Sequence, residues 1–193
     1  MTSERDAVRI RLTGRGGQGI MLAGAILAEA AMRDERYVTE TQEYGPEARL
    51  GATKADLVVA NRPIAFPDVV RPDLLLCLSR PGYLKYGRGV APGGLMVVDD
   101  RIAVEEDTTA EGAAVVRLPL RRTARELGDE IATNIVGLGA LAALSDVVSE
   151  QALAAAVAAR TKPEFADLNA RAVAAGLALG REARRGGRSA AAS

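Results

Sequence analysis

Residues 8–19 read Val8-Arg9-Ile10-Arg11-Leu12-Thr13-Gly14-Arg15-Gly16-Gly17-Gln18-Gly19. The first five alternate apolar and basic side chains, the period of a β-strand. The glycines that follow mark a tight turn. From residue 18 to residue 32 the side chains favour helix, with Ile20, Leu22, Ile26, Leu27 and Ala31 spread over most of its circumference. Such a helix is largely buried. Within the turn, Gly14, Gly16 and Gly19 have Gly-x-Gly-x-x-Gly spacing. In that pattern the first glycine permits the turn, the second lets a ligand approach the backbone, and the third lets helix pack on strand. The helix start offers free N–H groups and a positive dipole end to an anion. Gly14, Arg15, Gly16, Gly17, Gln18 and Gly19 are therefore candidate phosphate-binding residues. The competing reading is a strand-to-helix turn that binds nothing. Glu40, 21 residues beyond Gly19, lies near where a dinucleotide fold places its ribose-binding carboxylate. No Lys-Ser or Lys-Thr follows the glycines, which excludes a Walker phosphate loop.

Outward from this unit, residues 37–42 and 55–60 read as strands, separated by a Gly- and Pro-punctuated loop. The interval has no room for a crossover helix, so these strands are not a βαβ unit and the sheet is expected to be mixed. Residues 73–78 and 95–99 are short continuous apolar runs, the mark of strands buried on both faces. Residues 80–86 suit a short helix and residues 113–118 a last strand. Helices follow at 121–127, 134–144, 149–160 and 163–184. In the last, Phe165, Leu168, Ala172, Ala175 and Leu179 form one helical stripe. The expected architecture is a single three-layer α/β domain with a mixed, mostly parallel sheet, a Rossmann-like N-terminal strand–glycine loop–helix and a helical C-terminal third. Its bounds are residues 8–183, between an N-terminal tail at 1–7 and a disordered tail at 184–193.

Composition narrows the chemistry. The 193 residues suit one domain. Apolar residues make up 48% and aromatics 3%, so the core is aliphatic. Twenty-five basic side chains balance twenty-five acidic ones, leaving no net charge to recruit nucleic acid or a membrane surface. The absence of histidine excludes His-based triads and His general bases. Cys77 is the one cysteine, so the chain alone cannot supply a four-cysteine iron–sulfur cluster or an internal disulfide. Neither a signal peptide nor a membrane-length apolar run is evident, and the expected location is the cytoplasm.

Other candidates have plain structural readings. Tyr44-Gly45-Pro46-Glu47 and Arg49 form a possible second site, or a rigid turn with solvated charges. Cys77, in an apolar strand, reads as a buried inert thiol. Asp99-Asp100 is a polar strand end more simply than a metal site. Asn134 reads as the N-cap of an apolar helix.

Taken together, these segments resemble the gamma subunit, or gamma domain, of the 2-oxoacid:ferredoxin oxidoreductases. The likeness rests on Thr13 to Gly19, Leu22-Ala23-Gly24 through Leu27-Ala28-Glu29-Ala30, Tyr44 to Arg49, Arg71-Pro72-Asp73, Tyr83 to Tyr86 and Pro92-Gly93-Gly94. Ala124 to Gly128, Asn134 to Ala140 and Asn169 also fit, so the likeness runs from about Val8 to Gly180. The Tyr-Gly-Pro-Glu form resembles the 2-oxoglutarate or pyruvate branch. One departure is Leu50, where the family has glycine after its arginine. The resemblance implies an accessory subunit, not catalytic alone. Thiamine diphosphate, magnesium and iron–sulfur clusters would sit on alpha and beta partner subunits, and electrons would pass to ferredoxin. It also implies a share in CoA binding, with Gly14–Gly19, Tyr44, Glu47 and Arg49 as candidate contacts. The alternatives are a stand-alone Rossmann-type nucleotide-binding module and a purely structural subunit.

Overall fold

The computed structural model describes residues 7–43, 51–105 and 109–190. Among them, chain order gives β1 (Ala7–Arg15), α1 (Ile20–Arg33), β2 (Tyr37–Glu43), β3 (Ala52–Ala60), β4 (Leu74–Cys77), α2 (Arg80–Tyr86), β5 (Leu95–Asp99) and β6 (Ala114–Leu118). Four helices follow: α3 (Leu120–Leu127), α4 (Thr133–Ser145), α5 (Glu150–Arg160) and α6 (Ala166–Ala190). The strands form one sheet in the order β2-β3-β1-β4-β5-β6. β3 runs antiparallel to both β1 and β2, and the other pairings are parallel. The mixed, mostly parallel sheet expected from the short 37–60 interval is thus observed, with β3 inserted between β1 and β2.

Period-2 alternation sorts the strand side chains onto two faces. Ile10, Leu12, Leu57, Val59, Leu76 and Val97 join a large core with the apolar sides of α1 and α3–α6. Leu75, Cys77, Met96 and Val98 point the other way and pack with Tyr83, Tyr86 and Val90 of α2 and the segment after it. The domain has three layers of unequal thickness. β4 is buried on both faces, as its unbroken apolar run requires.

α4 is buried along residues 133–143, without a polar stripe. It lies between the sheet and α6, and both contacts use glycine. A Cβ on Gly137 would come 3.0 Å from the Leu76 side chain, and one on Gly139 would come 2.7 Å from the Val173 carbonyl oxygen. Two expectations need correction. α6 continues to Ala190, past residue 184 where the last helix was expected to end. Asn134 stands inside the first turn of α4 rather than at its cap.

Candidate functional site

β1 ends at Arg15, and the chain reaches α1 through Gly16–Gly19. Gly17 and Gly19 have φ of 86° and 68°, a left-handed backbone that glycine adopts at least cost. No side chain caps α1, so its first N–H groups lack the usual acceptor. Gly16 is different: a Cβ there would meet nothing within 4 Å. The N–H groups of Gly16 and Gly17 find no acceptor among the described residues.

The loop is braced from two sides. Gln18 Oε1 accepts a hydrogen bond from Arg15 N (2.6 Å), and Gln18 Nε2 donates to the carbonyl of Leu78 beyond β4 (3.1 Å). Gln18 therefore ties β1 to β4. Asn134 Nδ2 donates to the Gly19 carbonyl (3.0 Å), while its Oδ1 accepts from Ile135 N (2.9 Å). A Cβ on Gly19 would stand 2.4 Å from that Asn134 nitrogen. Glycine at position 19 thus serves both the left-handed turn and the close approach of α4.

The loop opens onto a cleft of about 480 Å³ at the C-terminal ends of β1, β4 and β5. Open α/β sheets bind ligands at this end, where the connections diverge to opposite sides. Arg15, Arg80, Arg101 and Arg121 all line it. Arg80 pairs with Glu105 (3.3 Å) and Arg121 with Glu130 (2.6 Å). The Arg15 and Arg101 side chains have no such partner among the described residues. Asp99 also borders the cleft, but its carboxylate accepts from Arg121 N (2.8 Å) and Arg101 N (3.2 Å). It holds the start of α3 and the turn after β5. Two guanidinium groups and two backbone N–H groups without partners among the described residues make the cleft suited to an anion.

The sequence candidates divide accordingly. Gly16, Gly17 and Arg15 meet at the cleft, and Gln18 braces it. Gly14 packs beneath, where a Cβ would come 2.8 Å from Ile20. Tyr44, Glu47 and Arg49 lie outside the described residues, as does Leu50. The segment that carries them leaves β2 at Glu43 and returns at Gly51. β3 there runs beside the end of β1, with Arg15 paired to Ala52 and Gly14 to Thr53. Glu40 does not take the ribose position. β3 separates its strand from β1, and Glu40 Oε1 lies against Gly24 of α1 and accepts from Gln42 (2.8 Å). Arg80, Arg101 and Arg121 were not singled out from the sequence. Their signal is position, since Arg80 and Arg101 closely follow apolar strands at the ligand-binding end of a parallel sheet.

Cys77 is fully buried, and burial pushes its thiol up to about 12, so it stays protonated. Among the described residues no group of three or more Cys, Asp or Glu is placed to hold a metal ion.

The pattern of the pyruvate ferredoxin/flavodoxin oxidoreductase family matches residues 9–179. The chain belongs to that family. It is 42% identical over 150 residues to the 2-oxoglutarate synthase subunit KorC of Methanocaldococcus jannaschii, covering 77% of this chain and 80% of the relative. The crystal structure of the keto/oxoacid ferredoxin oxidoreductase gamma subunit from Geobacter sulfurreducens superposes with a TM-score of 0.82. Its identity is 34%, with 92% of this chain and 98% of that one covered. The 2-oxoglutarate:ferredoxin oxidoreductase of Magnetococcus marinus, with 2-oxoglutarate, coenzyme A and succinyl-CoA bound, matches at 25% identity and a TM-score of 0.81. That match covers 93% of this chain and 32% of that one. Within this oxidoreductase family the fold is that of the gamma subunit.

Proposed function

We propose that this protein is the gamma subunit of a thiamine-diphosphate-dependent 2-oxoacid:ferredoxin oxidoreductase acting on a 2-oxoacid such as 2-oxoglutarate. Alpha and beta partner subunits hold thiamine diphosphate, magnesium and the iron–sulfur clusters. The gamma chain braces that assembly, works in the cytoplasm and contributes phosphate contacts to CoA. Gly128-Asp129-Glu130 departs from the Gly-Asp-Gly thiamine pattern, and a single buried cysteine cannot ligate a cluster. The glycine cleft carries the reading. It joins loop N–H groups to Arg15 and Arg101, all without a partner among the described residues, at the ligand-binding end of the sheet. Phosphate oxygens placed there gain charge-assisted hydrogen bonds.

Gly16→Asp tests it in the assembled enzyme. Gly16 has room for a side chain, so the variant folds, but its carboxylate repels the phosphate at a cost of about 2–4 kcal/mol in CoA binding. Decarboxylation of the 2-oxoacid proceeds while completion of turnover needs far more CoA. Gly16→Ala, bulk without charge, retains the wild-type CoA requirement. Unchanged CoA dependence in a folded Gly16→Asp complex would return the loop to a purely structural role.

A further inference from the structure

Arg121 lines the cleft at the glycine loop, and its Nε donates to Glu130 Oε2 at 2.6 Å. Glu130 is not part of the cleft lining, and neither is Arg125, which donates to the other carboxylate oxygen, Oε1, through Nε (2.8 Å) and Nη2. Arg121 and Arg125 are four residues apart on α3 and so share one face of it. One carboxylate thus serves two guanidinium groups, and among the described residues neither has a second carboxylate partner. The trio carries one positive charge in excess. Arg125 and Arg121 together hold the Glu130 carboxyl below its usual range. The Arg121 side chain is 44% exposed, so it can turn without unpacking the core. Breaking a solvent-exposed ion pair costs little, and here it leaves no bare carboxylate, because Arg125 stays on Glu130.

We infer that Arg121 is an exchangeable arginine of the cleft, turning from Glu130 to a second phosphate group of the ligand while Arg125 keeps Glu130 paired. Arg125 is then a positioning residue, acting on the ligand only through Glu130 and Arg121. This rests on the phosphate reading of the glycine loop and adds to it a partner exchange that selects diphosphates over monophosphates. The loop N–H groups with Arg15 and Arg101 suit one phosphate group. A diphosphate brings a second, and its added charge meets the surplus guanidinium. The planar fork of a guanidinium fits phosphate as it fits carboxylate, so Arg121 gives up no geometry in changing partners.

Competition against CoA by inorganic phosphate and by pyrophosphate, in the assembled enzyme loaded with thiamine diphosphate, tests this. Gly16→Asp weakens both anions, as the phosphate reading requires. Arg121→Gln weakens pyrophosphate about tenfold, the loss of one charge-assisted contact, and leaves phosphate within about twofold. Arg125→Gln, at a residue that touches neither anion, also weakens pyrophosphate selectively, because Glu130 then retains Arg121. Glu130→Gln releases Arg121 and tightens pyrophosphate. In the Arg121→Gln background, Arg125→Gln changes nothing further. Additive losses in that double variant would mean that Arg125 acts through its field alone, and overturn the inference. Wild-type pyrophosphate competition in Arg121→Gln, or equal weakening of both anions, overturns it as well. The phosphate reading then still stands if Gly16→Asp weakens both anions. Failure of either anion to compete with CoA, with CoA dependence indifferent to Gly16→Asp, overturns both readings.

Discussion

Arg11 and Asp56 face each other across β1 and β3, and both are nearly inaccessible. The guanidinium donates to both carboxylate oxygens (2.7 and 2.8 Å) and to the Val69 carbonyl (2.6 Å), and it lies 4.8 Å from the Tyr86 ring centre. Desolvating two charges is costly, and here that cost is offset by bidentate geometry and a third acceptor. Asp56→Asn leaves a buried guanidinium without its counter-charge, and denaturant unfolding should show a loss of about 3–5 kcal/mol. The strand is legible in the Arg-Ile-Arg-Leu alternation, but the burial of Arg11 is not, because its partner is 45 residues away. Cys77 was legible, since an unbroken apolar strand has no exposed face. Its thiol should resist a thiol-reactive disulfide reagent at pH 8 in the native protein and react on unfolding. The raised value also sets a sign. Between the ordinary thiol value of 9.0 and about 12 the unfolded chain releases this proton and the folded chain keeps it. The Cys77 contribution to stability therefore falls as pH rises through that window, a slope that Cys77→Ala should remove.

At the scale of elements, α4 and α6 approach so closely that their backbones touch. A Cβ on Gly176 would stand 2.1 Å from the Val136 carbonyl oxygen, and one on Gly180 2.7 Å from that of Ala140. Neither neighbour is a flexible side-chain tip, so the helices must separate. Gly176→Ala should cost about 1–3 kcal/mol and lower Tm by several degrees. Gly16→Ala, in open space, should leave Tm unchanged, and equal losses in the two variants would contradict this account. α1 and α5 are joined differently, through Glu29, which accepts from Arg33 (2.6 Å) and from Arg160. These arginines hold its carboxyl below the usual range. The element boundaries were largely readable from periodicity because burial on one or both faces leaves a local record. Strand order was not. Insertion of β3 between β1 and β2 depends on pairing across the chain, and it is what removes Glu40 from the ribose position. The two-arginine cleft was half readable for the same reason. Arg15 sits in the glycine motif, whereas Arg101 follows β5, 86 residues later (101 − 15).

The whole molecule is lopsided. Helices α1 and α3–α6 bury one face of the sheet, while α2 and the connecting segments alone cover the other among the described residues. In the segment between β3 and β4 and on α2, large apolar side chains reach solvent: Phe66 and Val70 are each 79% exposed and Leu84 is 46% exposed. No described helix is long and apolar enough to cross a membrane. For a subunit this exposure is expected, since side chains that meet water in the isolated chain are covered in the complex. Two consequences can be separated experimentally. Expressed alone, the chain should self-associate or show poor solubility, and it should show no 2-oxoacid-dependent dye reduction. Co-expressed with thiamine-binding alpha and beta subunits, it should run as one complex on a sizing column. The double variant Phe66→Ser, Val70→Ser should leave Tm within about 1–2 °C, because both side chains are already solvated in the folded chain. It should nonetheless reduce self-association. Dye reduction by the chain alone would count against an accessory role, and a well-behaved monomer indifferent to those subunits would favour a stand-alone nucleotide-binding module.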